Sequence, residues 1–121
     1  ALHGVRQAAV GLDEWVGVCG LGVLGNLSVQ LLQAAGCRVQ AWDPRSERLE
    51  AARQVGLVHG SATVPGRAPA AAPGLDAVIV TASSRRPGIL AGAASLCRHR
   101  GSLVVVGNVS FPIAVMTGIV E

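Results

Sequence analysis

The glycines at positions 20, 22 and 25 constrain this chain more than any other feature of its sequence. They form the pattern Gly20-Leu21-Gly22-Val23-Leu24-Gly25, which directly follows the apolar stretch Trp15 to Cys19. After them, apolar residues recur at helical spacing from about Leu24 to Ala35. The pattern therefore predicts a strand, a tight turn and a helix N-terminus in succession.

The rest of the chain continues this alternation of strands and helices. The predicted strands are Trp15 to Cys19, Arg38 to Trp42, Leu57 to His59, Asp76 to Thr81 and Ser102 to Val106. The predicted helices are Ala1 to about Val10, Leu24 to Ala35, Ser46 to Gly56 and Pro87 to Arg98. Between Gly60 and Gly74, prolines interrupt any long helix, so this stretch is predicted to be a loop. Short links in such an alternation predict an α/β fold, with a parallel sheet and helices on both faces. The length of 121 residues predicts one domain.

Each glycine of the turn has a reason to be there if the turn binds a diphosphate. Gly20 allows a sharp turn, Gly22 lets a pyrophosphate approach the backbone, and Gly25 lets the helix pack close to the strand. The N–H groups and the dipole at the start of a helix supply an anion site without a lysine, a residue type that the chain lacks. A glycine-rich turn can also serve packing alone.

Asp43 supplies the second half of a dinucleotide-binding signature. It lies 18 residues after Gly25, close to the ~20 at which an acid binds the adenosine ribose. A carboxylate there accepts hydrogen bonds from the ribose hydroxyls and repels a 2′-phosphate, which favours NAD over NADP. Arg45 and Arg48 weaken that preference, since an arginine can pair with a phosphate. The alternative for an aspartate before Pro44 is a helix N-cap.

Composition argues against nucleic-acid and membrane partners. The chain carries 10 basic residues against 7 acidic ones, with no basic stripe and few aromatic side chains, so no nucleic-acid partner is expected. The uncharged run from Trp15 to Cys37 is long enough to span a bilayer. However, a polar stripe at Asn26, Gln30 and Gln33 predicts a surface helix packed on a sheet, so no membrane partner is expected.

The cysteines and histidines form no recognisable site. Cys19, Cys37 and Cys97 are odd in number and show no CxxC pattern, which predicts reduced, buried thiols and a cytoplasmic location. No histidine has a partner at ligand or triad spacing. The sequence therefore predicts neither catalytic residues nor metal ligands, and the absence of an initial Met suggests a piece of a longer protein.

The chain resembles the cofactor-binding domain of medium-chain, zinc-type alcohol dehydrogenases, the group that contains sorbitol and threonine dehydrogenases. The segments that carry the resemblance are Ala1 to Arg6, Val16 to Gly25, Asp43 to Gly56, Leu75 to Val80 and Gly101 to Gly107. The resemblance implies a Rossmann-type doubly wound sheet of strand order 3-2-1-4-5, with room for a sixth strand between Ile113 and Glu121. NAD would lie across the carboxyl ends of the strands.

The resemblance also implies roles for particular residues. Those at the diphosphate would be Gly20, Gly22, Val23, Leu24 and Gly25, and those at the adenosine ribose Asp43 and Arg48. Thr81 and Ala82 would line the cofactor after strand four, and Val106, Gly107 and Asn108 would meet its nicotinamide half.

The departures from the family concern the loop from Gly60 to Gly74 and the catalytic machinery. The proline-rich loop replaces most of a helix that family members carry between strands three and four. The family's zinc ligands and substrate pocket lie on another domain and just upstream of this chain, so no zinc ligand is assigned here. The chain is thus expected to bind NAD without catalysing alone, with the missing substrate domain as its partner and a homodimer formed through the C-terminal edge.

Two alternatives stay open. A non-enzymatic module that senses NAD would have the same turn and the same acid. An S-adenosylmethionine methyltransferase also has a glycine turn and an acid after its second strand. It usually has the pattern GxGxG, whereas this chain has Leu24 followed by Gly25.

Overall fold

The computed structural model describes residues 14–62, 74–81, 89–108 and 113–119. Within these ranges the strands are β1 (Trp15–Cys19), β2 (Arg38–Trp42), β3 (His59–Ser61), β4 (Leu75–Thr81), β5 (Cys97–Asn108) and β6 (Ile113–Ile119). The helices are α1 (Val23–Ala34), α2 (Ser46–Gln54) and α3 (Ile89–Leu96). None of these helices has both the length and the apolar character that crossing a membrane requires.

The strands form one sheet in the order β3-β2-β1-β4-β5-β6. The first five run parallel to one another, and β6 pairs antiparallel with β5. This confirms the predicted order 3-2-1-4-5 and the sixth strand. The chain winds outwards from β1 in both directions, so the carboxyl ends of β1, β2 and β4 surround the point where ligands bind in doubly wound sheets.

The apolar core lies on both faces of this sheet. Val29 and Leu32 of α1 pack with Leu49 and Ala52 of α2 in one buried cluster on the sheet. Ala93 of α3 belongs to the second cluster, which includes the fully buried Trp42. The runs Val16 to Cys19 of β1 and Ala77 to Val80 of β4 are apolar and buried, because neither face of these central strands meets water. The predicted placement of helices on both faces is confirmed.

The bounds of β1 and β2 are the predicted ones, whereas those of the other elements differ. Helix α1 and strand β4 each begin one residue early, at Val23 and Leu75, and β3 begins two residues late, at His59. Helix α2 ends two residues early, at Gln54, and β5 continues two residues beyond its predicted end, to Asn108. Strand β5 begins at Cys97, where the sequence predicted a helix through Arg98.

The early start of β5 has a visible cause. Arg98 Nε donates to Asp76 Oδ1 at 2.9 Å, which ties the residue after Cys97 to β4. Cys97 pairs with Leu75, and the register then shifts before the next pair. The predicted lead-in helix, the start of the helix at Pro87, residues 63–73 of the predicted loop and the last two residues of the chain lie outside the described residues.

The centre of β1 is packed too closely for a side chain. A Cβ built on Gly17 would lie 2.9 Å from Leu75 Cδ1 and 2.9 Å from Trp42 Cζ3. We predict that Gly17→Ala lowers the free energy of unfolding by about 1–3 kcal/mol, because the core must move to admit the methyl group. Denaturant unfolding measures this change. Without the clash, alanine in place of glycine would stabilise the chain, so an unchanged or raised stability would contradict the packing. Val58→Ala, at a side chain that is 71% exposed, is the control and should change the stability by less than about 0.5 kcal/mol.

Candidate functional site

The turn between β1 and α1 requires glycine at two positions for different reasons. Gly20 has a φ of +95°, and a Cβ there would lie 2.7 Å from the main-chain oxygen of Thr81. At Gly25 a Cβ would collide with the carbonyl oxygen of Gly20. The structural reasons that the sequence offered for both glycines, a sharp turn and a close approach of helix to strand, are therefore confirmed.

Gly22 differs from Gly20 and Gly25 because, among the described residues, the space where its side chain would be is open. Its backbone is extended, with φ −70° and ψ −161°, and it is the N-cap residue of α1. A Cβ at Gly22 would find Arg48 Nη1, at 3.9 Å, as its one neighbour within 4 Å. The residue type is thus not explained by packing within the described part of the chain, but it would be explained by a ligand that approaches the backbone.

The start of α1 suits an anionic ligand. No side chain caps this helix, and its first turn contains no acidic residue. The first N–H groups of a helix lack partners within the helix, and the macrodipole places partial positive charge there. Val23, 79% exposed, leaves the main chain at this end open to solvent, while Leu24 is half-buried against the core. A diphosphate fits this donor set.

Asp43 joins this turn to the next helix. The carboxylate, on a residue only 2% exposed, accepts a hydrogen bond from Leu21 N to Oδ2 at 2.8 Å and from Arg45 N to Oδ1 at 2.8 Å. The N-cap of α2 is Arg45, so the aspartate is not the N-cap that the sequence allowed as an alternative. Each carboxylate oxygen has a second lone pair, and Asp43 can therefore still accept hydrogen bonds from a ligand.

Arg48 lies between Gly22 and Asp43. Its Nη1 is 3.9 Å from Asp43 Oδ2, and the side chain is 36% exposed. An ion pair of this length and exposure contributes little to stability. The guanidinium can therefore leave the carboxylate when a ligand arrives.

The remaining predicted positions differ in what they offer a ligand. The Thr81 hydroxyl is turned towards the main chain of the turn, with Oγ1 2.8 Å from the Gly20 oxygen. Val106 is 3% exposed, its side chain belongs to the core, and its main chain lies in register between Thr81 of β4 and Val115 of β6. Gly107 and Asn108 continue β5 to its carboxyl end, and Ala82 lies outside the described residues.

Sequence reasoning missed the contacts that hold the turn in place. Gly20 N donates to Trp42 O at 2.8 Å, and Leu21 N donates to the carboxylate of Asp43. These contacts could not be predicted, because every residue except proline has a main-chain N–H and the residue type does not show which of them donate. The one available signal was a polar residue, Thr81, directly after the apolar run Ala77 to Val80 of β4.

Neither a nucleophile nor a metal centre accompanies the turn in the described residues. Cys19 is buried, and burial, with a smaller contribution from Cys97, raises the pKa of its thiol. It is therefore a small buried hydrophobe, as predicted, and not an activated thiolate. In residues 14–62, 74–81, 89–108 and 113–119, no three His, Cys, Asp or Glu side chains are grouped so that they could hold a metal ion.

The strand order, the turn and the acid after β2 define a Rossmann-type, doubly wound domain. Residues 23–118 match the family described as zinc-binding dehydrogenase, and the chain belongs to that family. The side chains of the described residues do not fit a zinc ion.

Comparison with individual proteins agrees with this family. An alcohol dehydrogenase of Rhizobium meliloti (strain 1021) is 34% identical over 111 residues, which cover 86% of this chain and 31% of the relative. Acetophenone reductase from Geotrichum candidum in complex with NAD matches with a TM-score of 0.70 and 24% identity, over 82% of this chain and 28% of that one. The CAD protein of Helicobacter pylori, complexed with NADP(H), matches with a TM-score of 0.75 and 24% identity, over 88% of this chain and 29% of that one. The chain thus spans less than a third of these relatives.

A protein of another class shares the architecture. A chain from the complex between a methyltransferase activator and a methyltransferase of Haloferax volcanii matches with a TM-score of 0.73 and 16% identity, over 88% of this chain and 50% of that one. Structural likeness at 16–24% identity establishes the fold alone.

The contrast between Gly25 and Gly22 can be tested by stability. We predict that Gly25→Ala lowers the free energy of unfolding by at least about 3 kcal/mol, because its Cβ meets rigid backbone. Gly22→Ala should change it by no more than about 1 kcal/mol, the cost of a poorer N-cap. Urea unfolding of both variants beside the wild type checks this order. Equal losses at the two positions would show that the space in front of Gly22 is not open.

Proposed function

We propose that this chain is the dinucleotide-binding domain of an NAD-dependent oxidoreductase of the alcohol dehydrogenase type. The observation that carries the proposal is the open space in front of Gly22, which lies between the uncapped start of α1 and the carboxylate of Asp43. The N–H groups of the first turn of α1 would hold the diphosphate, and Asp43 would accept hydrogen bonds from the adenosine ribose.

The chain would bind and orient the cofactor without catalysing alone. When bound, a nicotinamide cofactor supplies hydride transfer. Ala82, directly after β4, would line the cofactor, and Val106 to Asn108, at the carboxyl end of β5, would meet its nicotinamide half. Leu24, whose side chain is half-buried against the core, would place its main chain near the phosphates.

We expect NAD to be preferred to NADP at this site. A 2′-phosphate beside the ribose would approach the carboxylate of Asp43 and be repelled by it. Arg48, 3.9 Å from that carboxylate, offsets part of the repulsion, so the preference should be moderate rather than absolute. Solved relatives contain NAD in one case and NADP(H) in another.

The rest of the enzyme would lie on the same, longer polypeptide. We propose that a substrate domain accompanies this one, that zinc, if the intact protein binds it, is held there, and that the substrate is an alcohol or polyol of the sorbitol or threonine dehydrogenase type. Coverage of less than a third of the relatives supports a further domain. The odd number of cysteines, which show no CxxC pattern, supports a cytoplasmic location.

A nucleotide titration tests the proposed function, with Gly22→Ala as the main variant. The wild-type chain should bind NADH more tightly than NADPH in calorimetry. The methyl group of Gly22→Ala fits the ligand-free chain but occupies the place of the diphosphate, so affinity for both should fall by about tenfold or more while the chain stays folded. Val58→Ala, far along the chain from the turn, should bind as the wild type does.

Three results would contradict the proposal. Wild-type chain that binds neither dinucleotide would remove its basis, and tighter binding of S-adenosylmethionine than of NADH would favour a methyltransferase. Unchanged affinity in Gly22→Ala would remove the diphosphate from the turn. Asp43→Asn is a weaker test, because its amide group would face a main-chain N–H and disturb the link between the turn and α2.

The C-terminal edge of the sheet supports a further proposal, a homodimer. Strand β6 is the last strand of the sheet and pairs with β5 on one side. In the described part of the chain no strand covers its other side, and an uncovered edge is a template for pairing with a second chain.

We predict that the mass measured by analytical ultracentrifugation rises from one chain to two as the protein concentration increases. Pairing through an edge is the expected cause, because an edge strand presents a row of main-chain N–H and C=O groups with which a second chain can pair. A mass of one chain at every concentration would contradict the homodimer.

A further inference from the structure

We propose that Thr81 is a positioning residue for the glycine turn. Its hydroxyl would fix the peptide group between Gly20 and Leu21, which directly precedes the N–H groups that would bind the diphosphate. The proposal rests on the proposed function, because it assigns Thr81 a part in binding the diphosphate. It differs from the expectation that Thr81 lines the cofactor, since the hydroxyl points to the protein main chain.

The hydroxyl of Thr81 reaches two consecutive carbonyl groups at the end of β1. Oγ1 lies 3.1 Å from the oxygen of Cys19 and 2.8 Å from that of Gly20, across 61 residues or more of sequence. A hydroxyl has one proton to donate, and the shorter distance favours Gly20. Thr81 is the last residue of β4, whose preceding residue Val80 is in register with Cys19.

The peptide group between Gly20 and Leu21 is held at both ends. Its carbonyl oxygen accepts the bond from Thr81 Oγ1, and its N–H, on Leu21, donates to Asp43 Oδ2 at 2.8 Å. The peptide bond is planar, so fixing the two ends by side chains from β4 and from the end of β2 fixes the orientation of the whole group. The next peptide group belongs to Gly22, where the ligand would approach.

Packing adds a third restraint on the same carbonyl group. Gly25 lies so close to the Gly20 oxygen that a Cβ would collide with it, and the same Cβ would be 3.0 Å from Thr81 Oγ1. The oxygen is therefore enclosed by the Thr81 hydroxyl and the first turn of α1. If the hydroxyl is removed, the enclosed carbonyl group loses its donor, and the peptide group gains freedom to rotate.

The expected consequence is a selective loss of affinity. A turn that is already in its binding conformation loses less entropy on binding, and this advantage concerns the phosphates that contact it. Adenosine, which lacks phosphates, would use Asp43 and little of the turn. The contribution of Thr81 should therefore increase with the number of phosphates on the ligand.

Two variants of the full chain separate the hydroxyl from the shape of the side chain. Thr81→Val keeps the shape and removes the hydroxyl, whereas Thr81→Ser keeps the hydroxyl and removes the methyl group. Binding of NADH, ADP, AMP and adenosine is measured for each by calorimetry or by NMR titration. We expect Thr81→Val to weaken NADH and ADP by about tenfold, the equivalent of one hydrogen bond. Adenosine should change by less than about twofold, and Thr81→Ser should stay within about threefold of the wild type for every ligand.

The outcomes distinguish this proposal from the proposed function. A wild-type chain that binds neither NADH nor ADP overturns both. Wild-type binding with no change in Thr81→Val, or with an equal loss for all four ligands, overturns the role of Thr81 and leaves the proposed function standing.

A measurement on the wild type covers the case in which Thr81→Val does not fold. Amide hydrogen exchange at Leu21 should be as slow as that of β1, because the clamped peptide group holds this N–H on Asp43. Exchange at Leu21 as fast as at an unprotected amide would overturn the proposal.

Discussion

The peptide group between Gly20 and Leu21 is the constraint on which the rest of the site depends. It lies where the sheet winds outwards from β1 in both directions, and it is bonded on one side to Asp43 after β2 and on the other to Thr81 at the end of β4. The turn, the start of α1 and the acid thus form one unit.

The electrostatics of the site follow from the same arrangement. Its anion-binding capacity comes from main-chain N–H groups and a helix dipole, and no lysine is needed. The carboxylate of Asp43 repels a further anionic group beside the turn. The guanidinium of Arg48, 3.9 Å from that carboxylate, offsets part of this repulsion. The buried thiol of Cys19, its pKa raised by burial, adds no charge at neutral pH. A site of this kind is suited to binding and orienting a phosphorylated ligand.

Local patterns were enough to predict those elements whose ends are marked by residue type. The bounds of β1 and β2 came out as predicted because glycine, or an aspartate followed by a proline, ends each apolar run. The start of β5 could not be predicted in this way. It depends on the bond between Arg98 and Asp76 and on a register shift against β4, both of which join residues far apart in sequence. The sequence also favoured no direction for the sixth strand, which pairs antiparallel.

By itself, the sequence determined the alternation of strands and helices, the strand order implied by the family resemblance, and the candidate residues Gly20, Gly22, Gly25 and Asp43. Spacing and residue type are local properties that are known from the sequence alone. Only the tertiary structure decided what each residue does in the ligand-free chain. It separates Gly25, where backbone leaves no room, from Gly22, where space is open. It also shows that the hydroxyl of Thr81 contacts the main-chain oxygens of Cys19 and Gly20 instead of facing the cofactor. Such hydrogen bonds between strands form only when the sheet has assembled.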